Sequence, residues 1–338
     1  MIVPEAKKLR IGSIELPNPL VLAPLAGISD LPFRMLAKEQ GCSLVWTELI
    51  SAEGLLRNRR ASAELLRSCP EERPLAVQLF GSRPRSLADG ARIAVEEFGA
   101  EVLDINMGCP VRKVVRGGAG AALLKDIPRA AEIIRAVRRA ITVPLTVKIR
   151  MGWDEKSVNY LEVAQMAEGC GVDGLILHGR TRMQGYGVPA DWSAITRTQE
   201  ILRIPVIGNG DLSSPQAILR FFRETGCAGA MIGRGAMGNP WIFRQTLQLF
   251  QGKEAEAPSL EEREGVILRH LQRVLEIRGE AHGVREFRKH LIWYTRGLRG
   301  SSEFRSRISN WTTGAEVAGR LQEYFQRIRK DPHPALFA

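Results

Sequence analysis

A cysteine stands at the end of a short apolar run, beside other side chains that could do chemistry. The run begins near Val102 and ends in Asp104-Ile105-Asn106-Met107-Gly108-Cys109-Pro110, where glycine and proline indicate a turn after a buried strand. Most free cysteines only pack in the core as small apolar side chains. A thiol at a strand's end, in a chain of repeated strand–helix units, lies where such folds keep reactive groups. Cys109 is therefore a candidate for catalysis.

Other polar side chains follow apolar runs in the same way. They are amides, cations, one imidazole and one carboxylate: Gln78, Asn106, Lys148, Arg150, His178, Arg180, Asn209 and Asp211. No metal-ligand cluster is visible in the sequence, because His178 has no carboxylate or cysteine at ligand spacing. Lys148 lies inside an apolar strand, where a lysine needs a counter-charge unless it reaches solvent. This set predicts a polar, planar, anionic cofactor and no metal.

Two glycine-containing turns predict an anion site. Gly208-Asn209-Gly210-Asp211 and Gly233-Arg234-Gly235 follow the last two apolar runs, and (β/α)8 barrels commonly bind phosphate with the loops after strands seven and eight. Residues 233–238 also spell the dinucleotide-binding pattern G-x-G-x-x-G. We reject a dinucleotide site because no further strand–helix–strand unit follows the motif. The turns favour phosphate binding, with ordinary turn glycines as the alternative.

Eight strand-like runs alternate with segments of helical period, and these elements must position the polar groups. The runs are 19–27, 44–51, 74–81, 102–107, 144–151, 174–180, 205–211 and 228–233. They are continuously apolar, as expected of parallel strands buried on both faces. Eight such units predict an α/β fold, a (β/α)8 TIM barrel. A doubly wound open sheet is the alternative, but it would normally use fewer strands.

The same periodicity divides the chain into three parts. Residues 1–251 form the barrel, and residues 252–259 are polar, contain Pro258 and are typical of a linker. Residues 260–338 show only helical periodicity. We expect them to form a small C-terminal helical bundle of three or four helices.

Composition narrows the class of protein. The 338 residues carry a net charge of +11, which favours a polyanionic partner over a small neutral metabolite. Five scattered cysteines without a C-x-x-C pair argue against disulfides and for a reducing compartment. Neither a secretory signal nor an apolar run long enough to span a membrane is visible. We predict a cytoplasmic protein with no membrane attachment and no obligate protein partner.

A basic segment in the helical part indicates that the polyanionic partner is a nucleic acid. Arg285, Arg288 and Lys289 begin it, and further arginines follow beside Trp293 and Tyr294. Cations that reach phosphates, next to aromatic rings that stack on bases, are typical of nucleic-acid binding. A solvated helix face over an aromatic core is the alternative. Further basic residues after the second and fourth runs would extend this track: Arg57, Arg59, Arg60, Arg112, Lys113 and Arg116.

Together these motifs resemble those of the tRNA-dihydrouridine synthases, most closely the bacterial B-type branch. They run in family order over nearly the whole chain, at 23–34, 77–81, 104–110 with 113–114, 148–153, 178–182, 209–211, 231–234 with 238–243, and 288–290. The resemblance implies an FMN enzyme that uses NADPH or NADH to reduce the C5–C6 double bond of specific uridines in tRNA. It also implies that Cys109 is the catalytic residue and protonates C5.

The resemblance assigns the other site residues as well. Those implied to bind the cofactor are Pro24, Leu25, Ala26, Gln78, Lys148, His178, Asn209, Gly210, Asp211, Gly233 and Arg234. Those implied to bind the substrate are Asn106, Arg180, Arg285, Arg288 and Lys289. Leu25 departs from the family's usual methionine, and we expect only a small effect because contacts there would use the backbone. Two alternatives stay open: a flavin oxidoreductase of free pyrimidines, similar to dihydroorotate dehydrogenase, and a non-catalytic RNA-binding protein.

Overall fold

Parallel strands form a barrel in the computed structural model, which describes residues 8–330. In chain order the strands are β1 (Leu9–Ile11), β2 (Ile14–Leu16), β3 (Leu20–Leu22), β4 (Val45–Trp46), β5 (Ile50–Ser51), β6 (Leu75–Phe80), β7 (Val102–Met107), β8 (Leu145–Arg150), β9 (Gly174–His178), β10 (Val206–Asn209) and β11 (Gly229–Ile232). Neighbours pair in the order β3, β11, β10, β9, β8, β7, β6, β4, and β5 also pairs with β6. A parallel bridge between Val21 and Leu44 joins the two ends of this order. The TIM-barrel prediction is confirmed.

Helices surround the barrel and follow its strands. They are α1 (Leu31–Glu39), α2 (Ala52–Arg57), α3 (Arg59–Leu66), α4 (Pro84–Glu96), α5 (Arg112–Arg116), α6 (Ile127–Ala140), α7 (Tyr160–Gly169), α8 (Trp192–Ile201), α9 (Pro215–Thr225) and α10 (Ile242–Phe250). Several begin at a residue whose side chain accepts a backbone N–H of the first turn, as Asp30, Asp126 and Ser214 do. Such caps satisfy N–H groups that have no partner within the helix.

An antiparallel hairpin of β1 and β2 precedes the barrel, and the sequence did not predict it. Leu9, Ile11 and Leu16 are buried in one cluster with barrel residues that include Val21 and Met231. Gly229, at the start of β11, faces Leu9 so closely that a Cβ would lie 3.0 Å from its Cδ2. The hairpin therefore closes the N-terminal end of the barrel, which leaves the C-terminal ends of the strands as the open mouth.

Four further helices form the C-terminal helical region: α11 (Leu260–Arg278), α12 (Glu280–Tyr294), α13 (Ser301–Arg307) and α14 (Gly314–Lys330). They share an apolar core that also includes Leu36 of α1 and Trp241 before α10. Glu262 on α11 accepts hydrogen bonds from Trp241 Nε1 at 2.9 Å and Arg244 Nη1 at 2.6 Å. The helical region is thus fastened to the last part of the barrel by apolar and polar contacts.

The predicted boundaries 1–251, 252–259 and 260–338 stay predictions. Between Phe250 and Leu260 the chain has no regular element, and Ser259 caps α11. Residues 1–7 and 331–338 of these ranges lie outside the described residues. Within residues 8–330, no helix is long and apolar enough to cross a membrane.

Candidate active site

A cavity of about 1010 Å³ opens at the C-terminal ends of the barrel strands, where barrel enzymes carry their catalytic groups. Its lining comes from the loops after the strands and also from the helical region, through Arg263, Trp293 and Arg296. Gly238 allows this approach: its φ is +66°, and a Cβ there would lie 2.4 Å from the carbonyl carbon of Trp293. The barrel and the helical region therefore build one cavity.

A network of amides lies on the floor of the cavity. Gln78 Nε2 donates to Asp104 Oδ2 at 2.6 Å, and Thr146 Oγ1 donates to Asp104 Oδ1 at 2.6 Å. Asn106 Nδ2 donates to Gln78 Oε1 at 2.8 Å. Burial raises the pKa of Asp104 to about 6, although the two hydrogen bonds to its carboxylate oppose that shift. These bonds fix the orientation of the Gln78 and Asn106 amides.

The same network positions Cys109. Asn106 Oδ1 accepts the backbone N–H groups of Gly108, at 3.2 Å, and of Cys109, at 2.8 Å. The Cys109 carbonyl accepts the N–H of Ala121 at 3.1 Å. Gly120, with φ +60°, lets this segment approach, because a Cβ there would lie 2.9 Å from the Cys109 carbonyl oxygen. The thiol is thus held on a loop that is bonded on two sides.

Cys109 is a thiol rather than a thiolate at neutral pH. Burial raises its pKa above the ordinary value, and the nearby charges of Arg150 and Lys148 only partly offset that effect. The side chain nevertheless lines the cavity and is partly exposed. A protonated thiol that faces a ligand can donate a proton, whereas nucleophilic cysteines need a lowered pKa.

Lys148 extends into the cavity from β8. Its Nζ donates to Asn209 Oδ1 at 3.1 Å, and Asn209 Nδ2 donates to the carbonyl of Met231 at 2.7 Å. Desolvation, followed by repulsion from Arg150, lowers the pKa of Lys148 to about 8. The ammonium is therefore mostly charged at neutral pH, and the acceptor it contacts is an uncharged amide. An anionic or electron-rich ligand would complete its environment.

His178 ends β9 next to these cations. Burial, and then repulsion from Lys148 and Arg150, lower its pKa to about 2. The ring is neutral, 9% exposed and lines the cavity. Its Nδ1 is buried and has no hydrogen-bond partner among the described residues. Because unpaired buried polar atoms are unfavourable, this nitrogen points to a ligand group in the cavity.

Asp211 organises the anion side of the cavity. It has φ +55° and follows Gly210 with φ +135°, so the backbone turns sharply there. Burial alone would raise the pKa of Asp211, but hydrogen bonds from Arg180 and Ala190 outweigh it and the pKa lies below the ordinary value. Arg234 Nη2 lies 3.3 Å from Asp211 Oδ1, and its guanidinium is about half exposed. Arg234 is therefore held in place yet accessible to an anion.

The structure brings most predicted site residues together. Those that line the cavity are Pro24, Leu25, Ala26, Gln78, Asn106, Cys109, Lys148, His178, Asn209, Gly210, Asp211, Gly233 and Arg234. Their individual roles stay predictions.

Four residues predicted to bind substrate lie outside this lining. Arg180 is 1% exposed and donates to Asp211 at 2.6 Å and to the Val188 carbonyl. Arg288 donates to the carbonyl of Trp311 at 2.8 Å, and Lys289 donates to the carbonyl of Gly27. These three make internal contacts, whereas Arg285 is exposed on α12. The positions of Arg180, Arg288 and Lys289 favour structural roles over direct contact with a substrate.

Sequence reasoning missed Tyr186 of the lining and noted Arg150 without giving it a role. Tyr186 is 59% exposed, and the Arg234 guanidinium stacks on its ring at 3.8 Å. Its only signal was an aromatic residue between two glycines in the loop after β9. Arg150 donates to the carbonyls of Gly108 and Thr181, at 2.9 and 2.8 Å, so it supports the loop that carries Cys109.

Comparison with known families gives a match along most of the chain. The sequence model of the dihydrouridine synthase family matches residues 21–329. A tRNA-dihydrouridine synthase B of Pseudomonas aeruginosa is 41% identical over 321 residues, covering 94% of this chain and 96% of the relative. A probable tRNA-dihydrouridine synthase of Rickettsia bellii is 37% identical, covering 95% and 98%. A tRNA-dihydrouridine synthase B of Xanthomonas axonopodis is 38% identical, covering 97% and 99%.

Solved structures share the barrel at much lower identity. A histamine dehydrogenase from a Rhizobium species superposes with a TM-score of 0.58 at 12% identity, over 97% of this chain and 64% of that structure. An old yellow enzyme homologue from Zymomonas mobilis gives 0.50 at 12% identity, over 77% and 96%. The match thus leaves about a third of the histamine dehydrogenase chain uncovered. A 2-naphthoyl-CoA reductase complex also matches, and this chain covers 52% of its length. Such distant likeness supports the barrel fold alone.

The raised pKa of Cys109 predicts slow alkylation at neutral pH. Iodoacetamide reacts with the thiolate, so its rate at Cys109 should still rise between pH 8 and about pH 9.5, whereas a thiolate stabilised by a lowered pKa would give a constant rate. Peptide mass spectrometry after timed alkylation would follow Cys109, with the same peptide in denatured protein as the reference. A rate already constant below pH 8 would contradict the prediction.

Proposed function

Because the chain belongs to the dihydrouridine synthase family, we propose that it binds FMN in this cavity and reduces specific tRNA uridines there, with NADPH as the reductant and Cys109 as the proton donor. The observation that carries the proposal is that three chemically complementary side chains share one cavity. It holds a protonated thiol, a partly exposed ammonium and a neutral imidazole with an unpaired nitrogen. We infer a cytoplasmic location from the tRNA substrate.

The residues present fit an anionic flavin. His178 and Lys148 both line a cavity of about 1010 Å³, at the upper end of the range for small-molecule sites, and Nδ1 of His178 has no hydrogen-bond partner among the described residues. Pro24, Leu25 and Ala26 would lie against the ring system. Gln78 and Lys148 would contact its polar edge.

The phosphate of the flavin would lie at the other end of the cavity. Arg234 and the backbone of Gly210 and Gly233 would hold it, with Asn209 and His178 beside them. The carboxylate of Asp211 is engaged by Arg180 and Arg234. Asp211 would therefore act through its backbone and by keeping Arg234 in position, since a carboxylate repels phosphate.

The reaction adds two hydrogens across the C5–C6 bond of uracil. When bound and reduced, the flavin supplies two electrons and the hydrogen that C6 receives. The Cys109 thiol donates its proton to C5 and is left as a thiolate, which solvent reprotonates. Asn106 holds the loop of Cys109 through two backbone N–H groups, so the acid is placed before the substrate arrives.

A tRNA substrate accounts for features that a free pyrimidine would not require. The uridine must leave its stack to reach the cavity. Trp293 and Arg296 of the helical region line that cavity. Exposed basic side chains can contact the tRNA backbone, and they include Arg57, Arg60, Arg112, Lys113, Arg116, Arg285 and Arg296. These groups support tRNA over the pyrimidine-reductase alternative.

The decisive experiment follows the flavin absorption band under anaerobic conditions. NADPH should bleach the band of the FMN-loaded protein, and unmodified tRNA transcript should restore it while dihydrouridine forms. Free uracil and orotate are the controls. Recovery with a free pyrimidine would assign the pyrimidine-reductase alternative, and failure to bind FMN would leave an RNA-binding protein.

Replacing the proposed acid separates chemistry from binding. Cys109→Ala should keep FMN and tRNA binding but lower the rate of tRNA-dependent flavin reoxidation by about 10²- to 10⁴-fold, the usual contribution of general acid catalysis. Cys170→Ala is the matched control, because Cys170 lies at the end of α7 outside the cavity lining. Reoxidation at the wild-type rate by Cys109→Ala would remove the thiol from the mechanism.

Removing exposed cations should weaken tRNA binding and reduce its salt dependence. In the double variant Arg285→Gln/Arg296→Gln, the slope of log Kd against log salt should fall by about one for each phosphate that an arginine no longer neutralises. Arg139→Gln is the control: Arg139 is exposed at the C-terminal end of α6, away from the barrel mouth. Filter-binding titrations at several salt concentrations measure the slopes. Equal slopes for the double variant and the wild type would contradict a tRNA surface at these residues.

A further inference from the structure

A second cluster of ionisable side chains lies where the barrel meets the helical region. Asp30 precedes α1, whereas His270 lies on α11 and His290 lies on α12. One potential ligand atom from each residue lies within 4.8 Å of the other two. Three elements from two parts of the chain therefore converge on one point, away from the cavity lining.

The two imidazoles are buried with unpaired nitrogens. His270 is 0% and His290 1% exposed. Nε2 of His270 and both ring nitrogens of His290 have no hydrogen-bond partner among the described residues. The rings of Phe33 and Phe287 pack against them and offer no conventional acceptor. Because buried nitrogens are normally paired, a ligand bound between the two rings would satisfy one nitrogen of His270 and one of His290.

Protonation does not satisfy the nitrogens. Burial, and then repulsion from Arg273 and Lys289, lower the pKa of His270 to about 3. Burial and the neighbouring His270 lower the pKa of His290 well below its ordinary value. Both rings are neutral at physiological pH, and a neutral imidazole keeps the lone pair that binds metals.

The surroundings hold the potential ligands in place. Tyr294 Oη lies 3.0 Å from His270 Nδ1, and Nε2 is the ring nitrogen left without a partner among the described residues. Metal-binding histidines are commonly oriented through their second nitrogen in this way. Asp30 Oδ1 accepts the N–H of Phe33 at 3.0 Å, which fixes the carboxylate at the start of α1.

We propose that Asp30, His270 and His290 bind one divalent transition-metal ion, with Zn²⁺ as the best match, and that this ion fastens the helical region to the barrel. Two imidazoles and a carboxylate, with water as the fourth ligand, suit zinc better than magnesium or calcium. A tetrahedral zinc ion holds its ligand atoms about 3.4 Å apart, so atoms that now lie up to 4.8 Å apart would move closer together on binding. The proposal replaces the expectation of no metal, which arose because these ligands are far apart in sequence.

Charges of both signs lie beside Asp30, and they come from both parts of the chain. Lys289 donates to the carbonyl of Gly27, and Glu48 accepts the N–H of the same residue. Lys289 and Glu48 act on Asp30 with opposite signs. Arg34 acts on Asp30 in the same sense as Lys289, and Asp30 is the one acidic side chain among the three potential ligands.

Such an ion would affect the cavity by fixing the position of α12. His290 precedes Trp293 by one helical turn, and Trp293 lines the cavity. An ion held by Asp30, His270 and His290 would fix the position of α12 against α1. The proposal concerns stability and docking and does not depend on the proposed reaction.

Metal content and thermal stability of the full-length protein test the site. Wild type, His290→Gln, His270→Gln and the control His282→Gln would be stripped with a chelator, reloaded with zinc chloride and desalted. His282 lies on the same helix, is exposed and contacts Glu286. We expect one equivalent of zinc per chain and a higher Tm on reloading for wild type and His282→Gln. We expect neither for the other two variants.

Cobalt substitution gives a readout on the wild type that needs no variant. Co²⁺ in a tetrahedral site of two imidazoles and a carboxylate should show intense visible d–d absorption, which added zinc abolishes. Wild type without stoichiometric zinc would overturn the proposal, and water or a shared proton would then satisfy the cluster. Equal zinc retention by a folded His290→Gln variant would also overturn it, as would a wild-type Tm that zinc does not change.

Discussion

The desolvation of positive charge at the mouth of the barrel is the constraint on which the site depends. Lys148, Arg150 and Arg234 gather around His178, and their repulsion adds to burial in keeping that imidazole neutral. Bringing cations together in a partly dry site is unfavourable unless a negative or electron-rich ligand joins them. The barrel can hold them because its strands are joined by backbone hydrogen bonds and its far end is filled by the hairpin. The rigidity of the scaffold thus maintains a site that favours an anionic ligand.

The helical region completes the cavity and is tied to the barrel by several kinds of contact. Glu262 receives hydrogen bonds from Trp241 and Arg244, and Glu39 on α1 pairs with Arg273 at 2.5 Å. The turn at Gly238 lies directly against the backbone of Trp293. Because these contacts surround the mouth, Trp293 and Arg296 become part of a cavity whose chemistry comes from the strands. A large substrate could then be bound by one part of the chain and transformed by the other.

The order of the strands and helices could be predicted from the sequence, whereas the orientation of individual side chains could be predicted less well. The apolar runs predicted every barrel strand, but the run 19–27 shortens to Leu20–Leu22, because the loop after this strand, at 23–26, lines the cavity with residues as apolar as those of a strand. The hairpin at Leu9–Leu16 was not predicted, because strands of three residues are too short to show a periodic pattern of apolar residues. Arg180 was expected to face a substrate. The strand ends at His178, and the chain then turns at Gly179, so Arg180 pairs with Asp211 instead. Tyr186 and the clustered histidines became visible only when distant segments were brought together.

The floor of the cavity links cofactor binding to proton donation. Asp104 fixes the Gln78 amide, Gln78 fixes Asn106, and Asn106 holds the backbone at Cys109. Gln78, Asp104 and Asn106 lie on the adjacent strands β6 and β7, which pair in register at Gln78 and Asp104. The amide that would contact the flavin and the thiol that would protonate the substrate are therefore positioned by one continuous set of hydrogen bonds. Because that set begins in the strands, the position of the acid is fixed by the most rigid part of the fold although the acid itself lies on a loop.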